Sequence, residues 1–337
     1  MSRYAEAHAN YAGPGDARPT ALQIIKDEDL IGKLSDKVFL VTGVSSGIGV
    51  ETLRALHATG GHVFGTVRDV AKGKQVVSEI QSQNPSGGKI TLIEMSMDSL
   101  SSIKKGASAV LSQTKTLNIV INNAGVMATP EGKTQDGFET QFGTNHIGHF
   151  YLFQLLKDTL LASATPAFPS RVVSVSSFGH RTGEVRFDDY NFSTPGSYNP
   201  WVSYGQAKTA NIYFSNELER RYGSRNLHST SLHPGGIWTG LQKHVDPAGF
   251  QLDKKQEAYM KSVEQGAATS VYAAVSEEWK QKGGRYLSDC VEQKAFQHKE
   301  NPMYVGDDGY EEWAYDEEKE GRLWRDSLKM VGLEDDQ

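Results

Sequence analysis

Apolar runs of strand length recur along the chain at KVFLVTG (37–43), HVFGTV (62–67), KITLIEM (89–95), LNIVIN (117–122), SRVVSVS (170–176), LHSTSLH (227–233) and GRYLS (284–288). Segments 48–59, 71–83, 99–113, 137–162, 203–222 and 263–280 lie between them and carry apolar residues at helical spacing. Strands that alternate with helices predict parallel βαβ units, because parallel neighbours need a crossover. The runs are apolar on both faces, as in a sheet covered by helices on each side. Right-handed crossovers then lead to an α/β fold: one doubly wound, mostly parallel, seven-stranded sheet with helices on both faces.

Other stretches break this rhythm. Residues 1–20 are polar and carry Gly13, Pro14, Gly15 and Pro19, which reads as a loose arm. Residues 21–34 read as a short helix leading into the core. Residues 178–202 form a long irregular insertion, and 236–262 follow the sixth strand. Long loops in compact domains are usually functional, so both are candidate substrate loops. The organisation expected is an arm and short helix (1–36), a main domain (37–290) and a tail (291–337) packed on it. The tail is acidic over 307–320, read as a solvated face, and ends in a helical pattern; Trp313 and Trp324 are expected to pin it to the body.

Composition narrows the function classes. Lys and Arg number 35 against 41 Asp and Glu, a net charge of −6. That gives no basic footprint for nucleic acid or an anionic membrane. Cys290 is the single cysteine, so no internal disulfide forms, which fits a reducing compartment. The N-terminus has no apolar core of a signal peptide, and no apolar run is long enough to span a bilayer. A cytoplasmic protein is expected.

The chemistry begins at VTGVSSGIG (41–49), which leaves a strand and opens a helix. Gly43 suits a sharp exit, Gly47 a close backbone approach to a pyrophosphate, and Gly49 close packing of helix on sheet. With Ser45, Ser46 and Ile48 these residues would present helix amides to phosphate. The same spacing also suits a purely structural glycine turn. The second strand ends in Thr66-Val67-Arg68-Asp69. Val67 stands where a ribose-binding acid would select NAD(H). Arg68 follows, and its planar fork suits the 2′-phosphate of NADP(H) or is a solvated strand end. Further on, Tyr204 and Lys208 are four residues apart in a helical segment, hence on one face. A cation beside a phenol favours phenolate, bringing an acid–base group towards working pH.

TGVSSGIG (42–49), NNAG (122–125), Asn145, VSVSS ending at Ser177, YGQAK (204–208) and HPGGIWT (233–239) stand in an order that resembles the short-chain dehydrogenase/reductase family over about residues 37–290. The chain looks most like the retinol-dehydrogenase-like and WW-domain-oxidoreductase-like branch, and its tail is similar to fungal members of that branch. The resemblance implies a Rossmann-type domain and a carbonyl/alcohol oxidoreductase using NADP(H) in preference to NAD(H). It implies that Tyr204 donates the proton, Ser177 holds the carbonyl oxygen, Lys208 binds the ribose and lowers the tyrosine pKa, and Asn145 holds a relay water. Asn122, Ala124, Gly125, Pro234, Gly235, Ile237 and Thr239 would contact the cofactor.

The expected substrate is a mostly apolar small molecule, with Ser177, Trp201 and Trp238 as candidate contacts and 236–262 as a lid. The near-adenine acid of the family is replaced by Ser96, with Asp98 two residues on. The 178–202 insertion leaves both monomer and homodimer open, since it can cover the usual dimer face. An inactive NADP-binding sensor and an atypical reaction, epimerisation or double-bond reduction, remain as other readings. His146 and His149 lack a third ligand, so no metal is expected. His180 is read as a loop contact and Cys290 as a small buried residue.

Overall fold

The computed structural model describes residues 3–245, 252–302 and 304–335. Its sheet contains β1 (Val38–Val41), β2 (His62–Val67), β3 (Ile90–Glu94), β4 (Ile119–Asn122), β5 (Ser170–Val175), β6 (Leu227–Leu232), β7 (Arg285–Ser288) and β8 (Val291–Glu292). The spatial order is β3-β2-β1-β4-β5-β6-β7-β8, parallel throughout except for the β7/β8 pair. The seven expected strands are present. The eighth is two residues long and closes a hairpin through Asp289 and Cys290, both with positive φ (54° and 57°). Such a turn is usually marked by Asn-Gly or Asp-Gly, and Cys290 hides the signal.

The helices are α1 (Ala5–Ala9), α2 (Ala21–Asp27), α3 (Ile48–Ala58), α4 (Val70–Gln83), α5 (Leu100–Leu111), α6 (Thr140–Phe142), α7 (Gly148–Ser163), α8 (Pro200–Tyr222), α9 (Lys254–Tyr259), α10 (Val263–Gly266), α11 (Ala268–Val275) and α12 (Glu317–Met330). Alternate strand residues feed two cores. Phe39, Val41, Ile119, Ile121 and Val173 pack against α2, α3 and α11. Val38, Leu40, Val120 and Val172 pack against α5, α7, α8 and α12. The segment expected as one helix over 137–162 is α6 and α7 joined by a wider π-turn, Gly143–Ile147. None of the described helices is long and apolar enough to cross a membrane.

Two expectations about the chain ends are corrected. The arm is packed rather than loose: Tyr4 and Arg18 are buried, and Arg18 is held by backbone carbonyls of residues 258–260. The acidic tail is only partly solvated. Asp308 accepts hydrogen bonds from Tyr259 and Ser288, and Glu320 pairs with Asn216 and Arg220. Both carboxylates are buried because partners from distant elements meet them. Trp324 does pin the tail, lying among Phe150, Phe153, Phe214 and Tyr222. Trp313 holds it through its carbonyl, which accepts from the Tyr213 hydroxyl at 2.6 Å.

Candidate active site

The strand order reverses between β1 and β4, and a cavity of about 950 Å³ opens at the carboxyl ends of the strands. Gly43 leaves β1 with φ +74° and lies against Ala124, two residues past β4; a Cβ would sit 3.0 Å from Ala124. Gly49 has no such backbone demand. Its space is taken by the Gly43 carbonyl, 2.2 Å from where a Cβ would be, so the glycine lets α3 seat against the turn. Gly47 begins α3 with φ +62° and no side-chain cap, leaving the first helix amides without a side-chain acceptor. An uncapped helix start on the cavity wall, reached by Ser45, Ser46 and Ile48, fits a pyrophosphate.

At the next strand end, Arg68 and Lys72 line the same cavity and are exposed. Asp69 turns away. Its carboxylate caps α4 by accepting from the Lys72 amide at 3.0 Å. Ser96 and Asp98 also line this end, joined by a 2.5 Å hydrogen bond.

The acid–base group is built by α8. Asn199 caps the helix and Pro200 occupies its first turn, so Tyr204 and Lys208 fall one turn apart on the face towards β5. Gly179 has Tyr204 ring carbon where its Cβ would be, at 2.7 Å, which admits the ring beside Ser177. Burial pushes the Tyr204 hydroxyl up to about 12, against the opposing pull of its hydrogen bond with Ser177. Burial lowers the Lys208 ammonium to about 7. Lys208 donates to the Val175 carbonyl at 2.9 Å and lies 5.5 Å from the Tyr204 ring centre. The expected lowering of the phenol by Lys208 is not seen: burial raises Tyr204, and only its hydrogen bond with Ser177 opposes this.

Asn145 lies in the π-turn, behind the wall rather than on it. Its side chain exchanges two hydrogen bonds with the Val126 backbone, each 2.9 Å. It still comes close to Lys208, since both flank Gly125. Its own carbonyl accepts from His149 Nδ1, and His149 Nε2 meets the Thr42 hydroxyl, both at 2.9 Å. Burial keeps His149 neutral, down to about 4, and His146 down to about 3. His146 pairs with Ser327. His180 sits between the Ser177 carbonyl and the Glu311 amide.

Ala124, Gly125, Pro234, Gly235, Ile237 and Thr239 line the cavity, as do Ser177, Trp201 and Trp238. Asn122 does not: it is buried at the end of β4, and its neighbour Asn123 lines the wall instead, donating to the Thr42 and Gly43 carbonyls. Lys72, Asn123, Met127 and Val305 are lining residues outside the sequence expectations. Of these, Asn123 stands inside the NNAG motif and Lys72 follows four residues after Arg68; Met127 and Val305 have no local signal. In the 178–202 loop Tyr198 does not line the cavity, but its hydroxyl donates to the carbonyl of Thr129, which does, at 2.8 Å. In 236–262, Trp238 is 49% exposed, whereas Tyr259 and Met260 are buried and belong to the body. Phe250, also expected in the lid, lies outside the described residues.

Residues 37–248 match the model of the short chain dehydrogenase family. A short-chain dehydrogenase/reductase, prx1, of Penicillium roqueforti is 49% identical, covering 98% of this chain and 95% of that protein. Human retinol dehydrogenase 13 is 36% identical, covering 88% and 85%. The crystal structure of an uncharacterised Mycobacterium paratuberculosis protein superposes with a TM-score of 0.68 at 29% identity, covering 91% of this chain and 97% of that one. The chain belongs to the short-chain dehydrogenase family, oxidoreductases that bind a nicotinamide cofactor and act on small molecules.

Proposed function

We propose that the protein interconverts a carbonyl and an alcohol on a bulky, mostly apolar small molecule with NADP(H), and that Tyr204, Ser177 and Lys208 carry the reaction. The observation behind this reading is the convergence of Tyr204 with Ser177 and Lys208 at one end of a cavity whose other end presents Arg68 and Lys72. When bound, the cofactor supplies or accepts the hydride. Tyr204 then donates its proton to the carbonyl oxygen in reduction, or removes the hydroxyl proton in oxidation. Ser177 orients that oxygen, and Lys208 holds a positive charge against the phenol. Asn145 keeps the 125–126 backbone in place beside Lys208. The mildly acidic, single-cysteine chain suits a cytoplasmic enzyme, and the fungal relative together with the roomy cavity suits a secondary metabolite as substrate.

Arg68 and Lys72 support the phosphate preference, since Asp69 is engaged in the α4 cap. Charge-assisted hydrogen bonds to a phosphate contribute roughly 1.5–3 kcal/mol, about one to two powers of ten in affinity. Arg68→Ala with Lys72→Ala should raise the KM for NADPH by that factor and leave NADH nearly unchanged. The wild type is assayed by NADPH absorbance over a panel of ketones and aldehydes, with NADH in parallel. Higher efficiency with NADPH than with NADH is expected; equal efficiency with both cofactors would overturn the phosphate reading.

The apolar side chains Trp201, Trp238, Leu241 and Leu252 support a bulky substrate. Trp238 is half exposed, so Trp238→Ala should change the KM ranking of large over small carbonyls with little loss of melting temperature. A large fall in melting temperature with an unchanged ranking would mark it as packing alone.

A further inference from the structure

Two short stretches of chain that press on one another form part of the cavity wall. One is the turn 234–237 after β6, and the other is 259–261, at the end of α9. The Lys261 amide donates to the Gly236 carbonyl at 2.8 Å, and Ile237 bridges Lys261. The Lys261 ammonium reaches the Pro234 carbonyl at 3.3 Å. There is no spare room: a Cβ on Gly235 would lie 2.7 Å from the Lys261 side chain, and one on Gly236 2.8 Å from Met260 sulfur. His233, Pro234, Gly235, Gly236, Tyr259 and Met260 all face the cavity. The position of 259–261 therefore sets the wall on that side.

What holds 259–261 comes from the other end of the chain. The Arg18 side chain is 2% exposed. It donates at 2.6 Å to the carbonyl of Tyr259 and at 2.6 Å to that of Met260, with longer bonds to Ala258 and Gly13. The carbonyls of 258–260 are ones that α9, ending there, leaves without helical partners. Asp16 fixes the guanidinium through Nε at 2.9 Å. Gln265 ties the arm down by accepting from Gly15 and donating to the Asp16 and Arg18 carbonyls. A second path runs from His8 to Asp289 at 3.0 Å and from Asp289 to Lys261 at 2.5 Å. Tyr11 packs edge-on against Tyr259. Arg18 itself lines no part of the cavity.

We propose that Arg18 is a positioning residue: the N-terminal arm braces residues 258–261 and, through them, the 234–237 turn, so that the arm sets the nicotinamide-side wall of the active cavity. The proposal rests on the reading of that cavity as a nicotinamide dinucleotide site. A guanidinium buried against backbone carbonyls is fixed in direction, and its loss leaves those carbonyls unpaired in the interior. Misplacement of a positioning segment by about 1 Å is enough to lower a reaction rate by up to roughly a hundredfold.

The test compares wild type, Arg18→Ala and Arg18→Lys in the full chain, with three readouts. The first is exchange of the Lys261 amide hydrogen, which needs no ligand. The second is binding of NADPH against 2′,5′-ADP, which shares the adenosine end but lacks the nicotinamide. The third is KM and kcat with decanal. In Arg18→Ala the Lys261 amide should exchange roughly tenfold faster or more. NADPH should bind roughly tenfold more weakly while 2′,5′-ADP is unchanged, and kcat with decanal should fall by a similar factor. Arg18→Lys should restore part of each, because one ammonium can replace some of the carbonyl bonds.

Unchanged Lys261 exchange would overturn the proposal. So would an equal weakening of NADPH and 2′,5′-ADP, which would signal general destabilisation. If the wild type binds NADH instead, NADH and 5′-AMP replace the pair, so an error about the phosphate does not touch this test. If the wild type binds neither dinucleotide, the site reading has failed and the proposal with it. Should Arg18→Ala not fold, Gln265→Ala loosens the same arm without removing a buried charge, and the same readouts apply.

Discussion

Tyr204→Phe is expected to abolish most turnover while NADPH binding stays close to wild type. The substitution removes only the hydroxyl, and the ring that fills the space beside Gly179 is kept. Loss of a general acid–base group costs about two to four powers of ten in rate. The buried phenol, with its hydroxyl pushed up to about 12, is protonated across the working range before the cavity fills, as a donor for reduction must be. Steady-state kcat and a fluorescence titration with NADPH separate the two effects. A Phe variant retaining more than about a tenth of wild-type kcat would show that another group moves the proton. Lys208→Ala should instead damage binding and rate together, because its ammonium lies beside both the phenol and the Gly125 wall.

The largest expected effect on stability belongs to Trp324, far along the chain from the chemistry. Its indole is buried among four aromatic rings of α7 and α8: Phe150 at 5.1 Å, Phe153 and Phe214 at 6.0 Å, and Tyr222 at 6.3 Å between centres. The Arg221 guanidinium lies over it at 4.7 Å. Truncating a buried tryptophan to alanine costs about 3–5 kcal/mol. For a chain of this size that corresponds to a fall of about 4–7 °C in melting temperature. Trp324 does not line the cavity, so the KM for NADPH should be unchanged below the melt. A thermal melt and a parallel KM measurement check both halves, and Trp324→Phe should recover much of the loss. A cost under about 1 kcal/mol would mean that α12 is only loosely applied. By covering the outer face of α7 and α8, α12 also gives the tail a structural role that its acidic composition does not suggest.

The sequence by itself determined what local periodicity and short spacing can specify. Apolar runs separated by helical patterns give the parallel sheet, because each βαβ unit is encoded within a few tens of residues. The spacing of Gly43, Gly47 and Gly49 marked the turn after β1, and the first two have positive φ in the fold. Tyr204 and Lys208 were paired by the pitch of a single helix. Tertiary structure decided whatever depends on partners distant in sequence. It brought Ser177, just past the end of β5, to Tyr204 on α8, turned Asn123 rather than Asn122 to the cavity, and spent Asp69 on a helix cap. A polar, glycine-containing arm reads as loose because no local pattern announces its partners. Arg18 finds them 241 residues away, in the carbonyl of Tyr259. Asp308 and Glu320 likewise read as solvated charges until Tyr259, Ser288, Asn216 and Arg220 come to meet them. A buried polar group is tolerated only when it is paired, and that pairing is a property of the assembled fold, not of any window of the chain.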